Sequence, residues 1–427
     1  MDGVTGYRTD RGQAAELDAA DPLAGFRDRF ADDGRGLIYL DGNSLGRLPL
    51  ATAERIAQVV REEWGSGLIG SWEHWMGLPA RVGDLLGEHL LGAASGQVAV
   101  CDSTTVNLYK LACAALDARP GRRVVVTDDD NFPTDRYVFQ GLAARGDCEL
   151  RMIHTDMDAG LDEAALAAAV DEDTALVSLS HVAYRSAALA DMARVTDLVH
   201  ASGALMLWDL CHSVGAVPVR LDECGADLAV GCTYKYLNAG PGAPAFLYVR
   251  RELLDRLRQP IWGWMGQRNL FEMGPDYDPL PGIERFTAGT PQIAGITAVQ
   301  EGATLLAEAG IGRLRDKGVQ LTEYLITLAD AWLTPLGAAM ASPRDPARRG
   351  SHVTIQHPEG HRIYQALTDR GVIIDYRAPD RMRFGPAPVY TRFTDAWDAT
   401  CTTRQIIESK SYEQFPHGRA GERVADG

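Results

Sequence analysis

Short apolar runs alternate with helical periodicities from about residue 50 to residue 250. AERIAQVVREEW places Ile56, Val59, Val60 and Trp64 on one helical face, and ARVGDLLGEHL does the same with Val82, Leu85, Leu86 and Leu90. QVAVC predicts a strand, DST a turn, and TVNLYKLACAAL a helix. RRVVVT is a continuous apolar run, the pattern of a strand covered on both faces. YVFQGLAARG follows as a helix, TALVSLS as a strand and DMARVTDLVHASG as a helix closed by Gly203. ALMLWDL, LAVGCTY and AFLYVR are three further strands. Such alternation predicts an α/β fold, a mostly parallel sheet flanked by helices in a large domain.

The pattern changes after about residue 300. VQEGATLLAEAG and LTEYLITLADAWL are long helices, HVTIQH, VIIDYR and RMRFG short strands, and TRFTDAWDATCTTRQIIE a closing helix. This predicts a smaller α+β domain, with PRDPARRGS (343–351) as an exposed loop. A chain of 427 residues exceeds one typical domain. The expected division is an N-terminal segment over 1–50 packed on the small domain, a large domain over 51–300 and the small domain over 301–427.

Composition narrows the function classes. The formal net charge is −16 and there is no Lys/Arg run, so a nucleic-acid partner is not expected. Apolar runs are short and broken, which argues against a membrane span. MDGVTGYRTDRG lacks the basic-then-apolar order of a secretion signal, so a cytoplasmic location is expected. The seven cysteines are scattered without CxxC, which predicts small buried apolar residues rather than a disulfide framework or a zinc site, and no metal is expected.

Only four lysines occur, Lys110, Lys235, Lys317 and Lys410, and one of them stands in GCTYKYLNAGPG (231–242). Open parallel sheets bind ligands at the carboxyl ends of their strands. Asp102-Ser103-Thr104-Thr105 opens a helix after QVAVC, where free N–H groups and hydroxyls make a phosphate seat. Asp209 ends an apolar strand, and Lys235 follows the next one. NFPTD (131–135) adds an aromatic face, Phe132, and a second carboxylate, Asp135. Taken singly, these read equally well as an N-cap, a capping carboxylate and a structural ion pair. Together they describe a pyridoxal 5'-phosphate site, with a lysine to bind the aldehyde, a carboxylate to keep the pyridine nitrogen protonated and an aromatic ring to stack. A nicotinamide enzyme would need GxGxxG after the first strand, and DSTTVN does not supply it.

From Asp41 onward the chain resembles kynureninase, a fold-type-I pyridoxal-phosphate family related to class V aminotransferases. The resemblance rests on DGNSLG (41–46), STTVNL (103–108), NFPTD, WDLCHSVGAVP (208–218), GCTYKYLNAGPG, GWMG (263–266), GTPQI (289–293) and MRFGPAPVY (382–390), in that order. It implies hydrolysis of the Cβ–Cγ bond of L-kynurenine, or of a 3-hydroxy or methylated form, to an anthranilate and L-alanine, as in tryptophan catabolism and NAD biosynthesis. It also implies a homodimer with shared active sites. Lys235 would carry the cofactor, Asp209 would pair with the pyridine nitrogen with Asp135 close by, and Phe132 would stack on the ring. Thr104, Thr105, Ser180 and Tyr234 would hold the phosphate, joined by Trp264 and Thr290 of the other subunit. His212 would lie beside the cofactor, Arg383 would take the substrate carboxylate, and Tyr234 would also handle a proton at the carbonyl. Met265, Gln267, Ser186-Ala187 and WEHWMG (72–77) depart from the family pattern, which predicts an altered aryl pocket. The alternatives are a class V aminotransferase or desulfurase, for which Cys401 in a helical pattern is a poor nucleophile, and a non-catalytic cofactor-binding protein.

Overall fold

A computed structural model describes residues 6–32 and 34–417. Met1–Thr5 of the N-terminal stretch and residues 418–427 of the expected small domain lie outside the described residues.

The N-terminal segment carries β1 (Ile38–Tyr39). The main sheet comprises β2 (Val98–Val100), β3 (Val124–Asp128), β4 (Glu149–Ile153), β5 (Thr174–Ser180), β6 (Leu205–Asp209), β7 (Leu228–Gly231) and β8 (Phe246–Val249). Toward the C-terminus follow β9 (Ala339–Met340), β10 (Val353–Gln356), β11 (Val372–Ile373), β12 (Asp375–Arg377) and β13 (Arg381–Phe384). The main sheet runs β2-β8-β7-β6-β5-β3-β4. Within it β8 is antiparallel to both neighbours and the other pairs are parallel, as the apolar runs predict. A second sheet, β12-β13-β10-β9, is antiparallel throughout, and β1 pairs in parallel with β11.

Two-sided burial explains why these strands read as unbroken apolar runs. In β6, Met206 and Trp208 enter one core with Val126, Val177 and Phe246, while Leu205 and Leu207 enter another with Val125, Leu176 and Val230. The period of two thus fills both faces, and each large side chain removed from water contributes about 1.5–3 kcal/mol. A third core joins Leu321, Val353, Ile355, Met382 and Phe384 with Ala14 and Leu40 from the N-terminal segment.

Several expectations need correction. β4 has no apolar run because it is the sheet edge and exposes much of Glu149–Met152, so its pattern is polar. VIIDYR splits at Ile374, its first half pairing with β1 and its second with β13. The helix over AERIAQVVREEW is α-helical only to Gln58 and then widens into π turns over Val59–Gly67. The wider turns rotate the expected face: Val59 is buried, but Val60 and Trp64 are exposed. PRDPARRGS is not simply an exposed loop. Arg349 is fully buried, paired with Glu323, and donates to the carbonyls of Pro343 at 2.7 Å and Arg344 at 2.6 Å, closing the loop over its own cation. No helix among the described residues is long and apolar enough to cross a membrane.

The DGNSLG motif packs on the lysine segment. The Gly46 N–H donates to the Tyr234 carbonyl at 2.8 Å, and a Cβ at Gly46 would stand 2.3 Å from Asn238 Oδ1 and 2.4 Å from the Lys235 carbonyl. Backbone cannot yield as a flexible side chain would, so this approach requires glycine. Gly46→Ala is expected to lower unfolding stability by about 1–3 kcal/mol, the usual cost of overpacking, measured by urea denaturation. A variant as stable as the parent would show that the motif does not rest on the lysine segment.

Candidate active site

The parallel register brings the candidate residues to one edge. Ser180 at the end of β5 is the ladder partner of Asp209 at the end of β6, and Asp209 is the partner of Val230 in β7, shortly before Lys235. A cavity of about 510 Å³ opens at this edge. Thr104, Thr105, Phe132, Asp135, Ser180, Asp209, His212, Tyr234 and Lys235 all line it.

One wall is the start of the helix Thr104–Asp117. Ser103 is its N-cap, accepting from the Val106 N–H at 3.3 Å. Asp102 does not cap the helix; with φ at 51° it turns back to pair with buried Lys110 at 2.7 Å. Thr104 and Thr105 therefore stand at a helix N-terminus facing the cavity, a seat for an anion.

The opposite wall holds the charged groups. Asp209 is buried; its Oδ1 accepts the Cys211 N–H at 2.8 Å and its Oδ2 faces the Ser180 hydroxyl at 3.5 Å. The single Ser180 proton goes to Asn131 Oδ1, the shorter contact at 2.8 Å. Asp135 is 1% exposed, and its Oδ2 has no hydrogen-bond partner. Burial, then repulsion from Asp209, hold its carboxyl well above the ordinary range.

Lys235 Nζ lies 3.0 Å from His212 Nε2, 5.7 Å from the centre of the Phe132 ring and 5.9 Å from that of Tyr234. Burial, then the charge of Lys235, hold the His212 imidazole well below its ordinary pKa. A neutral ring accepts from the ammonium at Nε2, which places its own proton on Nδ1, an atom left without a partner. Phe132 packs edge-on against Tyr184 with centroids 5.3 Å apart. Burial raises the Tyr234 hydroxyl, so it stays protonated and able to donate.

Unpartnered, nearly buried polar atoms on Asp135 and His212 face a cavity with a lysine, an aromatic plate and an anion seat. That donor and acceptor set fits pyridoxal phosphate. The lysine amine meets an aldehyde, the Asp209 carboxylate a pyridine nitrogen, and the helix start a phosphate.

Three expected residues are not brought to this cavity by one chain. Arg383 in β13 is 1% exposed and engaged by Asp375, by the Tyr184 carbonyl at 2.5 Å and by Ser44 Oγ at 3.1 Å, with only Nε unpartnered. Trp264 is 44% exposed and donates to the Leu270 carbonyl at 2.6 Å, and Thr290 is exposed. Met265 lies in a separate pocket of about 110 Å³ together with Met76 and Gly77, so two departures from the family pattern converge there. Gln267 accepts the Asp278 N–H at 2.7 Å. Cys401 is confined within the helix Phe393–Glu408, as its pattern predicts.

Sequence reading missed Tyr184, Asn131 and His352. Asn131 opens the NFPTD motif and could have been found there. Tyr184 and the fully buried His352, whose ring lies 5.7 Å from His212, carry no local signal because only folding brings them in.

Known proteins similar to this chain were found by sequence and by structure. A family model described as the kynureninase C-terminal domain matches residues 314–402. A kynureninase from Pseudomonas fluorescens is 45% identical over 414 residues, covering 95% of this chain and 97% of that one. A kynureninase from Burkholderia pseudomallei (strain 1106a) is 46% identical over 410 residues, covering 94% and 96%. A cysteine desulfurase from Thermococcus onnurineus NA1 superposes with a TM-score of 0.77 at 18% identity, over 92% of this chain and 98% of that one. A cysteine desulfurase from Escherichia coli gives 0.78 at 16% identity, over 91% and 98%. At such identities the structural likeness establishes the shared α/β fold alone.

Beside the cavity, buried Asp128 closes β3 and accepts the Asp130 N–H at 3.0 Å. Burial, then the charge of Asp129, push its carboxyl up to about 7. A carboxyl raised on folding stabilises fully below its unfolded value of about 4 and loses that contribution as pH rises through the folded value. Asp41, raised to about 6 by burial and then by Asp375, shares the lower part of the window. Asp128's contribution to the unfolding free energy is therefore expected to fall between about pH 4 and about pH 7, and Asp128→Asn should make the pH slope of unfolding free energy less negative over that range. Identical slopes there in both proteins, measured by denaturant titration, would reject this assignment.

Proposed function

The chain belongs to the kynureninase family, and from that premise we propose that it hydrolyses the Cβ–Cγ bond of L-kynurenine or a ring-substituted kynurenine, using pyridoxal 5'-phosphate. The products are an anthranilate and L-alanine. The observation that carries this reading is a nearly buried Lys235 in contact with a neutral His212, on a cavity that also holds Asp209 and Asp135.

When bound, the cofactor supplies an electron sink for the negative charge developed at the substrate α-carbon. This chain's residues do the rest. Lys235 anchors the cofactor and, once released, carries the proton at the α-carbon, with neutral His212 accepting its hydrogen bond and aiming Nζ. Asp209 keeps the pyridine nitrogen protonated, and the Cys211 N–H fixes the orientation of that carboxylate. Asp135, its carboxyl raised by burial beside Asp209, adds a second acidic group near that nitrogen. Phe132 stacks on the ring; Thr104 and Thr105 hold the phosphate at the helix start, with Tyr234 donating to it or to the substrate carbonyl. Arg383 takes the substrate carboxylate by giving up its contacts to the Tyr184 carbonyl and Ser44, since only its Nε is free.

The exposed Trp264 and Thr290 support a homodimer in which each completes the site of the other subunit. The parallel pairing of β1 with β11 supports the packing of the N-terminal segment on the small domain. The composition supports a cytoplasmic enzyme.

Three outcomes are expected. Borohydride reduction should fix the cofactor on Lys235 in the parent protein and leave Lys235→Ala unlabelled; peptide mapping to another lysine would sink the assignment. Asp209→Asn should keep the cofactor yet turn over about a thousandfold more slowly, equivalent to about 4 kcal/mol of transition-state stabilisation, whereas near-parental turnover would remove Asp209 from the mechanism. Mixing inactive Lys235→Ala with an inactive Trp264→Ala, Thr290→Ala variant should restore partial activity through hybrid dimers with one intact site. A fully active monomer by sedimentation would exclude sharing.

A further inference from the structure

Two of the cysteines that line the cofactor cavity are set against each other. Asp209 in β6 and Val230 in β7 are ladder partners, and the Leu210 N–H donates to the Val230 carbonyl at 2.8 Å just beyond them. Cys211 and Cys232 stand two residues beyond these partners, just past the ends of β6 and β7, so the strand pairing carries them side by side. The contacts agree: the Cys232 N–H donates to Cys211 Sγ at 3.2 Å, and Cys232 Sγ lies 3.8 Å from the Cys211 carbonyl oxygen.

Both cysteines are buried from bulk water yet line the cavity, so a small oxidant entering it meets both sulfurs together. Cys232 is also electronically prepared. Burial opposes its ionisation, but the Cys211 thiol beside it and the charge of Lys235 outweigh burial and lower its pKa. The hydrogen bond to Cys232, then burial, raise that of Cys211. The pair thus divides into a nucleophilic sulfur and a protonated one.

We propose that Cys211 and Cys232 form a disulfide when a peroxide enters the cofactor cavity, that this bond weakens cofactor uptake, and that bound cofactor shields the pair. The shielding and uptake parts rest on the pyridoxal phosphate reading given above; the bond itself does not. The Cys232 sulfur attacks one peroxide oxygen, the O–O bond breaks, and the leaving hydroxide takes a proton to become water. The Cys211 sulfur then attacks the sulfenic sulfur, the S–O bond breaks, and a second water leaves with the Cys211 proton. Two thiols lose two electrons in all, and the peroxide is reduced to two waters.

The bond draws the sulfurs from nonbonded contact to about 2.05 Å. It therefore shifts the segments that carry the adjacent His212 and, slightly further on, Lys235, whose side chains meet at 3.0 Å. It also draws Cys211 Sγ from its place 4.0 Å from Thr104 Oγ1 at the anion seat. Both the lysine side and the phosphate side of the cavity are disturbed by one cross-link.

The test uses the full chain, with cofactor and after its removal by dialysis, each exposed to hydrogen peroxide and mapped without reductant. A linked Cys211–Cys232 peptide is expected in the stripped protein, forming at least tenfold more slowly in the holoenzyme. Pyridoxal phosphate titration followed by absorbance should show uptake weakened at least tenfold after oxidation and restored by dithiothreitol. In Cys232→Ser no linked peptide should form, and peroxide should no longer change that variant's uptake. Only sulfinic acids, equal rates with and without cofactor, or a cross-link that leaves uptake unchanged would each overturn the proposal. Borohydride labelling of Lys235 that succeeds while no cross-link forms rejects the thiol pair alone; a cross-link in a protein that takes up no cofactor rejects the cofactor reading instead.

Discussion

The parallel register of β5, β6 and β7 is the constraint on which the site depends. Ser180, Asp209 and Val230 are aligned across three neighbouring strands, so whatever follows each strand emerges at one edge. A slip by one residue would invert every side chain of a strand, sending Met206 and Trp208 to the face where Leu205 and Leu207 now pack. Large apolar side chains on both faces make such a slip costly. The cores therefore do more than stabilise the sheet: they hold the alignment of the polar groups at its carboxyl edge.

Those polar groups then solve an electrostatic problem. Asp135, Asp209, His212 and Lys235 are all nearly removed from water, where isolated charges are expensive. The arrangement limits the number of charges present at once: burial beside Asp209 disfavours the charged form of Asp135, and burial beside Lys235 that of His212. In its neutral form each remains able to hydrogen-bond. The other buried lysines are committed to the fold, Lys110 to Asp102 and Lys317 to Asp21 at 2.6 Å.

The small domain and the N-terminal segment reach the same edge from outside the sheet. Gly46 lies against the backbone of the lysine segment, Ser44 meets Arg383, and Arg383 meets the carbonyl of Tyr184, which lines the cavity. Asp41 and Asp375 are close enough to raise the Asp41 carboxyl to about 6, burial being the larger cause. Segments hundreds of residues apart thus share one polar junction behind the cavity. A substitution in DGNSLG can then act on the lysine with no contact to a ligand.

Local pattern was enough for the sheet's central strands, because burial on both faces leaves a signature in consecutive residues such as RRVVVT and TALVSLS. It was enough for the carboxyl-edge residues too: Asp209, Lys235, Phe132 and Asp135 sit directly beside the strands that position them. It failed at β4, whose edge position removes the apolar signature, and at Arg349, whose burial depends on Glu323 and its own loop's carbonyls. Tertiary structure alone decided that Tyr184 and His352 join the site, that the charged forms of Asp135 and His212 are disfavoured, and that Cys211 faces Cys232. Side-chain identity travels with the chain and is legible in it. Burial, register between distant strands and the sign of a local field are set by what folds against a residue, and no stretch of sequence contains its own neighbours.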